Sequence, residues 1–326
     1  MALLRLFSVV AAALPTALYV LLFWWVDRHE KEPRALLLGA FVWGAVPSVM
    51  LSLIIESWLA RPLSVFGQGY ASVVGSTLIA PPIEEVAKGL ALWGLYRWAR
   101  AEMDGDLDGI VYGAVVGLGF AMVENIFYFW TALEESGLSA WATIIPVRAL
   151  AFGLNHALFT AFTGVGFARA RYTKGAGSRR GVVLRWLLLA IAVHMAHNAL
   201  ANAGLCILSL LLNWAGALLV LVMVVLSWRR EVAWMREHLA EEVSLGILTE
   251  PLYQVLSSRE RYSAVLRRLR RSGLRRARIL IKLLRSAAEL AQKKHQLAHL
   301  GEESGNSATI DALRQQIIHL RLKLYE

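Results

Sequence analysis

Four apolar stretches of this sequence carry side chains that water-poor surroundings penalise. Glu84, Glu85 and Lys88 lie in one, Glu124 and Asn125 in the next, Arg148 and His156 in another, and His194, His197 and Asn198 in the last. An ionisable group in hydrocarbon costs at least about 2.5 kcal/mol on the insertion scale, so each is read first as functional. Together they are groups that activate water. A carboxylate can take its proton, an imidazole can position it or protonate a leaving nitrogen, and an amide can donate to a developing oxyanion without being ionised.

Spacing sorts them further. Glu84 and Lys88 are i,i+4 and share a helix face, with the acid on the N-terminal side that favours pairing. Lys88 is therefore a counter-ion that holds one of the adjacent carboxylates charged and leaves the other to act as the base. Sequence does not choose between Glu84 and Glu85. Pro81-Pro82 predict a kinked backbone before them, with some carbonyls left free. His194, His197 and Asn198 are i,i+3 and i,i+4, so all three point to one side and either histidine can face the site. Asn198 is the candidate oxyanion donor. Asn125 and Arg148 are supporting candidates, the first as interhelical glue, the second on a stem long enough to snorkel outward. His156, His194 and Glu85 can hold Zn²⁺ with an open position, yet no HExxH is present, and a metal-free glutamate–histidine site uses the same residues equally well. Gly113, Gly117 and Gly119 sit mid-stretch and read as close helix packing rather than a phosphate loop. Glu56, at the end of a stretch, reads as interfacial.

Such groups need long helices to hold them, and the composition supplies these. Of 326 residues, 57% are hydrophobic and 18% charged, against about 25% charged in soluble domains. Seven stretches are long enough to span a bilayer, roughly 4–26, 35–57, 71–97, 108–132, 142–168, 182–202 and 205–228. The first runs unbroken from Leu6 to Val26, longer than a signal-peptide core, and reads as a retained span. The expected fold is an all-α membrane bundle.

Basic residues alternate between loops. The first loop has Arg28, Lys31 and Arg34, the second only Arg61, and the third Arg97 and Arg100. The fourth and sixth have none, while the fifth has six between Arg169 and Arg185. That pattern puts the N-terminus outside and the tail in the cytoplasm of a multi-pass cell-membrane protein. On this topology the acids, imidazoles and amides share a depth between the midplane and the outer leaflet.

Residues 1–228 form the expected transmembrane domain and 229–326 a basic cytosolic helical tail, with net charges of +2 and +8. From Tyr262 the tail has a helical apolar period, Val265, Leu266, Leu269, Leu280, Ile281 and Leu284, with basic residues between. A turn over Gly301 to Ser307 precedes a second amphipathic helix, Ile310 to Tyr325, making a helical hairpin whose basic face can meet anionic headgroups. No groove-reading motif accompanies the charge, so nucleic acid is not an expected partner. The single cysteine, Cys206, excludes a disulfide framework.

Several segments resemble, in order, the motifs of the PrsW intramembrane proteases. Ala80-Pro81-Pro82-Ile83-Glu84-Glu85-Val86-Ala87-Lys88 is similar to the family's EExxK motif. Asp108 to Gly113, continuing through Gly117-Leu118-Gly119-Phe120 to Glu124-Asn125, resembles its second signature, and Asn155-His156-Ala157-Leu158 its third. His194 with Asn198 resembles the closing HxxxN pattern, and Asp27 to Pro33 the first loop. The resemblance implies a membrane-embedded endopeptidase with Glu84, Glu85, Glu124, His156, His194 and Asn198 at its site. It further implies a membrane-anchored protein substrate cut in the manner of the first cleavage of an anti-sigma factor, and a site often described as metal-dependent. The wider clan contains a non-catalytic member, so a scaffold or sensor of the same fold is the alternative. A proton-coupled transporter would also need buried acids and histidines, but no internal repeat relates the two halves of the chain.

Overall fold

The computed structural model describes residues 1–27, 31–269, 274–302 and 305–325. Arg28 to Glu30 of the first loop, Arg270 to Gly273, and Glu303 and Ser304 of the expected tail turn lie outside the described residues, as do the side chains of Leu266 and Leu269. All regular structure among the described residues is helical. The helices are α1 (Ala2–Val26), α2 (Arg34–Trp43), α3 (Val49–Ala60), α4 (Gln68–Val74), α5 (Ala80–Trp98), α6 (Asp106–Thr131), α7 (Gly137–Pro146), α8 (Asn155–Tyr172), α9 (Ala176–Asn202) and α10 (Cys206–Ser244). They are followed by α11 (Glu250–Leu256), α12 (Arg259–Leu269), α13 (Leu274–Leu300) and α14 (Asn306–Tyr325).

Five helical stretches among the described residues are long and apolar enough to cross a membrane: Ala2–Val26, Arg34–Phe66, Asp106–Tyr172, Ala176–Asn202 and Cys206–Ser244. The sequence reading differs at two places. The stretch 71–97 is not among the five; its α5 part carries Glu84, Glu85 and Lys88. The stretches 108–132 and 142–168 fall within one run of 67 residues, interrupted by the left-handed Gly137 (φ 83°) and by a non-helical break before Asn155. Outward faces are apolar, with Leu14, Leu18 and Leu21 of α1 and Leu211, Leu218 and Leu221 of α10 exposed. In water such faces would be a liability; against lipid they are matched.

The chain forms two compact units, the first holding Met1–Asp27 and Glu32–Val224, the second the residues from Val225 onward. In the first, α6 packs along α8. The Asp108 carboxylate accepts from the amides of Asp104 (2.8 Å) and Gly105 (2.6 Å) and so starts α6. Its glycines let the backbones touch. A Cβ on Gly109 would stand 2.5 Å from the Gly164 carbonyl oxygen, one on Gly113 2.5 Å from that of Thr160, and one on Gly117 2.1 Å from that of His156. Because each obstacle is backbone, helix must move against helix. Gly109→Ala is expected to destabilise the protein by about 1–3 kcal/mol, the usual penalty of overpacking, read from its unfolding in detergent.

In the second unit, Leu284, Ala287, Ala288 and Ala291 of α13 share a core with Ile310, Leu313 and Ile317 of α14. Met235 and Leu239, near the end of α10, join the same core. Glu242 is fully buried there and accepts from Lys294 (2.7 Å) and Arg314 (2.8 Å). A buried carboxylate with two cationic donors is paired as such a charge must be.

Candidate active site

The position of α5 is set by local backbone chemistry. The chain enters α5 through a wide turn over Gly75–Ile79, where the amide of Ala80 reaches back to Gly75 rather than to Ser76. Pro81 has no N–H to offer, so the Ser76 carbonyl lacks a helical partner. Asn198 of α9 supplies one, its Nδ2 donating at 2.8 Å. The free carbonyl expected from Pro81-Pro82 is thus present, but the prolines occupy the first turn of α5 instead of kinking its interior. Farther along, the Ala87 carbonyl accepts from the Trp43 indole (3.1 Å) and the Ser48 hydroxyl (3.2 Å), tying α5 to the end of α2 and the turn after it.

Held this way, α5 turns Glu84, Glu85 and Lys88 inward, all buried. Lys88 Nζ donates to Glu85 Oε1 at 2.6 Å and approaches Glu84 Oε2 at 3.4 Å. Its tighter partner is therefore the i,i+3 acid, not the i,i+4 acid that spacing favoured. The ammonium also meets His156 Nδ1 at 3.2 Å and lies 4.3 Å from the centre of the Phe120 ring. Glu85 is fully occupied, because its other oxygen accepts from the Thr160 hydroxyl (3.1 Å) and Oε1 also meets His194 Nδ1 (3.1 Å). Glu84 instead borders a cavity of about 450 Å³.

The two histidines are oriented by acids. His156 Nε2 pairs with Glu124 at 2.9 Å and His194 Nδ1 with Glu85. Ionised carboxylates only accept, so each neutral imidazole carries its proton on that nitrogen and turns a lone pair inward. The inward atoms, His156 Nδ1 and His194 Nε2, lie 3.8 and 3.9 Å from Glu84 Oε2. Glu124 is anchored by Arg148, at 2.5 Å, whose Nε bonds Asn125 (2.9 Å) and whose guanidinium lies 3.6 Å from the Tyr128 ring centre. Arg148 thus points into the site and does not snorkel.

His197 does not reach the glutamates. It meets Asn155 of α8 (3.0 Å) and Ser209 (2.5 Å) and Asn213 (2.9 Å) of α10, a three-helix junction beside the cluster. Sequence also gave Glu56 no part in the site. The helical stretch runs on to Phe66, and Glu56 lines the same 450 Å³ cavity as Glu84 and Glu124. The signal was there in Ser48, Ser52 and Glu56, a polar stripe one turn apart on an otherwise apolar helix. Thr160 was missed as well, and nothing in its spacing marks it.

The donor set bears on a metal. One ligand atom each from Glu84, His156 and His194 lies within 4.8 Å of the others. Two imidazoles and a carboxylate, with each imidazole backed by a second carboxylate, fit the chemistry of a divalent zinc site once the Lys88 ammonium, which meets His156 Nδ1 and Glu84 Oε2, gives way. Glu84 therefore takes the place assigned from sequence to Glu85, whose oxygens are spent on Lys88, His194 and Thr160.

A family described as PrsW family intramembrane metalloprotease matches residues 32–228, well over half of the chain. The chain belongs to the PrsW family. Relatives named protease PrsW include that of Geobacillus kaustophilus (strain HTA426), 28% identical over 168 residues, which are 51% of this chain and 68% of that protein. The Clostridioides difficile (strain 630) protein is 26% identical over 62% of this chain and 79% of its own length, and the Bacillus subtilis (strain 168) protein 29% over 64% and 86%. No solved structure matches. This PrsW-family member is thus a multi-pass membrane enzyme that hydrolyses peptide bonds of membrane proteins, and its buried Glu84, His156 and His194 are consistent with a catalytic site.

Proposed function

We propose that this PrsW-family protease cuts a membrane-anchored protein near the outer leaflet, as in the first cleavage of an anti-sigma factor, with water activated by Glu84. The observation that carries this reading is the meeting of Glu84, His156 and His194, with Glu84 on the 450 Å³ cavity, the two histidines on a second of about 270 Å³, and Glu85 and Glu124 behind the imidazoles. Of the two adjacent acids, Glu84 is the one bordering open space, so it takes the proton of the attacking water. His156 and His194 turn their inward nitrogens to that water, and the proton taken up by Glu84 passes, directly or through one of those nitrogens, to the leaving amine. Asn198 has two N–H groups, of which Ser76 takes one; the other is the oxyanion donor. Lys88 keeps Glu85 ionised, while Arg148 and Asn125 hold Glu124 in place.

Glu84, His156 and His194 would hold a divalent metal such as Zn²⁺, which when bound would act as a Lewis acid on water or the scissile carbonyl. Metal content decides between the two forms of the site. A stoichiometric metal in the purified protein, lost in His156→Ala and His194→Ala but kept in His197→Ala, supports the zinc form. Wild-type activity from metal-free protein supports the other.

The topology that goes with this reading has seven passes, the N-terminus outside, and a cytosolic hairpin tail whose basic face lies near anionic headgroups. Co-expression with single-span candidate substrates tests the reading. Wild type is expected to cleave, whereas Glu84, Glu85 and His156 alanine variants are not; equal cleavage by all four would end it. A non-catalytic scaffold predicts instead that Glu85→Ala keeps function while Gly117→Leu, which forces α6 from α8, destroys it.

A further inference from the structure

Ser52 and Glu56 stand one turn apart on α3, and the mechanism above uses neither. Both line the 450 Å³ cavity, across which stand Glu84, Glu124 and Tyr128. Ser52 Oγ and Glu56 Oε1 are buried and have no hydrogen-bond partner. Leaving such acceptors unmatched costs roughly 1–3 kcal/mol each, a penalty that an arriving donor removes. The charge of the cavity says which donor. Three carboxylates face it, while Lys88 and Arg148 are already engaged, by Glu85 at 2.6 Å and Glu124 at 2.5 Å. A neutral amide would satisfy one lone pair. A cationic side chain would also match the charge, and charge-assisted bonds are about twice as strong as neutral ones.

We propose that Ser52 and Glu56 form a specificity subsite for a lysine or arginine side chain of the substrate, near the bond being cut. This rests on the hydrolytic reading, because it takes the cavity to be where the substrate chain enters. The hydroxyl and carboxylate supply two acceptors one helical turn apart, a spacing that a single ammonium or guanidinium can bridge. Glu56 then selects the substrate without taking part in proton transfer.

The test uses full-length protein in lipid nanodiscs and a set of single-span polyleucine peptides. Each peptide carries lysine, norleucine or glutamate at one position, scanned along the span. Binding is measured on the Glu84→Gln protein, and cleavage on the unmutated protein in parallel. At one position the lysine peptide is expected to bind about tenfold more tightly than its norleucine counterpart. Adding Glu56→Gln should erase that difference, and Glu56→Lys should transfer the preference to the glutamate peptide, an inversion that misfolding cannot mimic. A lysine preference that survives Glu56→Gln, or none at any position, overturns the subsite. If lysine selectivity holds in binding but the unmutated protein cleaves nothing, the hydrolytic reading fails and the subsite stands. If peptides are cleaved without regard to lysine, only the subsite fails.

Discussion

Glu84→Gln lowers the rate of peptide cleavage by about 10²–10⁴-fold, the usual contribution of a positioned general base, and leaves the protein folded. Glutamine keeps the size of the side chain and an acceptor for Lys88, 3.4 Å away, but it cannot take up a proton at working pH. The ion pair of Lys88 with Glu85, at 2.6 Å, is untouched, so the fold has little reason to respond. Single-turnover cleavage of a reconstituted single-span substrate, alongside a thermal melt, separates these effects. A Glu84→Gln protein retaining more than about a tenth of the wild-type rate would remove Glu84 from the chemistry. Glu85→Gln should behave differently, weakening the Lys88 pair and the hold on His194 together, so both melt and rate should fall.

Lys88→Met destabilises the protein by about 3–5 kcal/mol, the cost of removing one partner from a buried ion pair. Lys88 and Glu85 are both fully buried, and Glu84 is nearly so. Methionine fills much of the same volume, so what is lost is charge compensation rather than packing. The double variant Lys88→Met/Glu85→Gln should recover a good part of the loss, because the orphaned charge is gone as well. Denaturant unfolding in detergent reads both. A Lys88→Met protein within about 1 kcal/mol of wild type would show that the acids are compensated by something other than this ammonium.

Much of the site could be read from the chain because charge in an apolar helix is expensive, and Glu84, Lys88, Glu124, His156 and His194 announce themselves on that ground alone. Choices between neighbours could not be read. His194 and His197 lie on one side of α9, and only their partners on other helices, Glu85 for the first and Asn155, Ser209 and Asn213 for the second, separate their roles. Glu84 and Glu85 are adjacent, and it takes Thr160 and His194, 75 and 109 residues away, to occupy one and leave the other at the cavity. Glu56 was passed over because its place at the end of a hydropathy stretch hid its share in the cavity that Glu84 borders. The span count is where length and hydropathy along the helices say least: 108–132 and 142–168 fall inside one 67-residue run, and 71–97 is discounted for the charges that make it useful.

The charges of α5 also bear on how the chain is made. With Glu84, Glu85 and Lys88 in one helix, each worth about 2.5–3.5 kcal/mol against insertion at mid-bilayer, this segment cannot leave the translocon for lipid unaided. Within α5 the lysine offsets the two acids, but Thr160, His156 and His194 reach the cluster from α8 and α9, which the ribosome has not yet made when α5 emerges. With α5 as one of the seven proposed passes, its integration waits on later parts of the chain, and the proposed hydrolytic centre forms in the same event that completes insertion. A nascent chain halted before α8 carries neither a finished membrane domain nor an active protease.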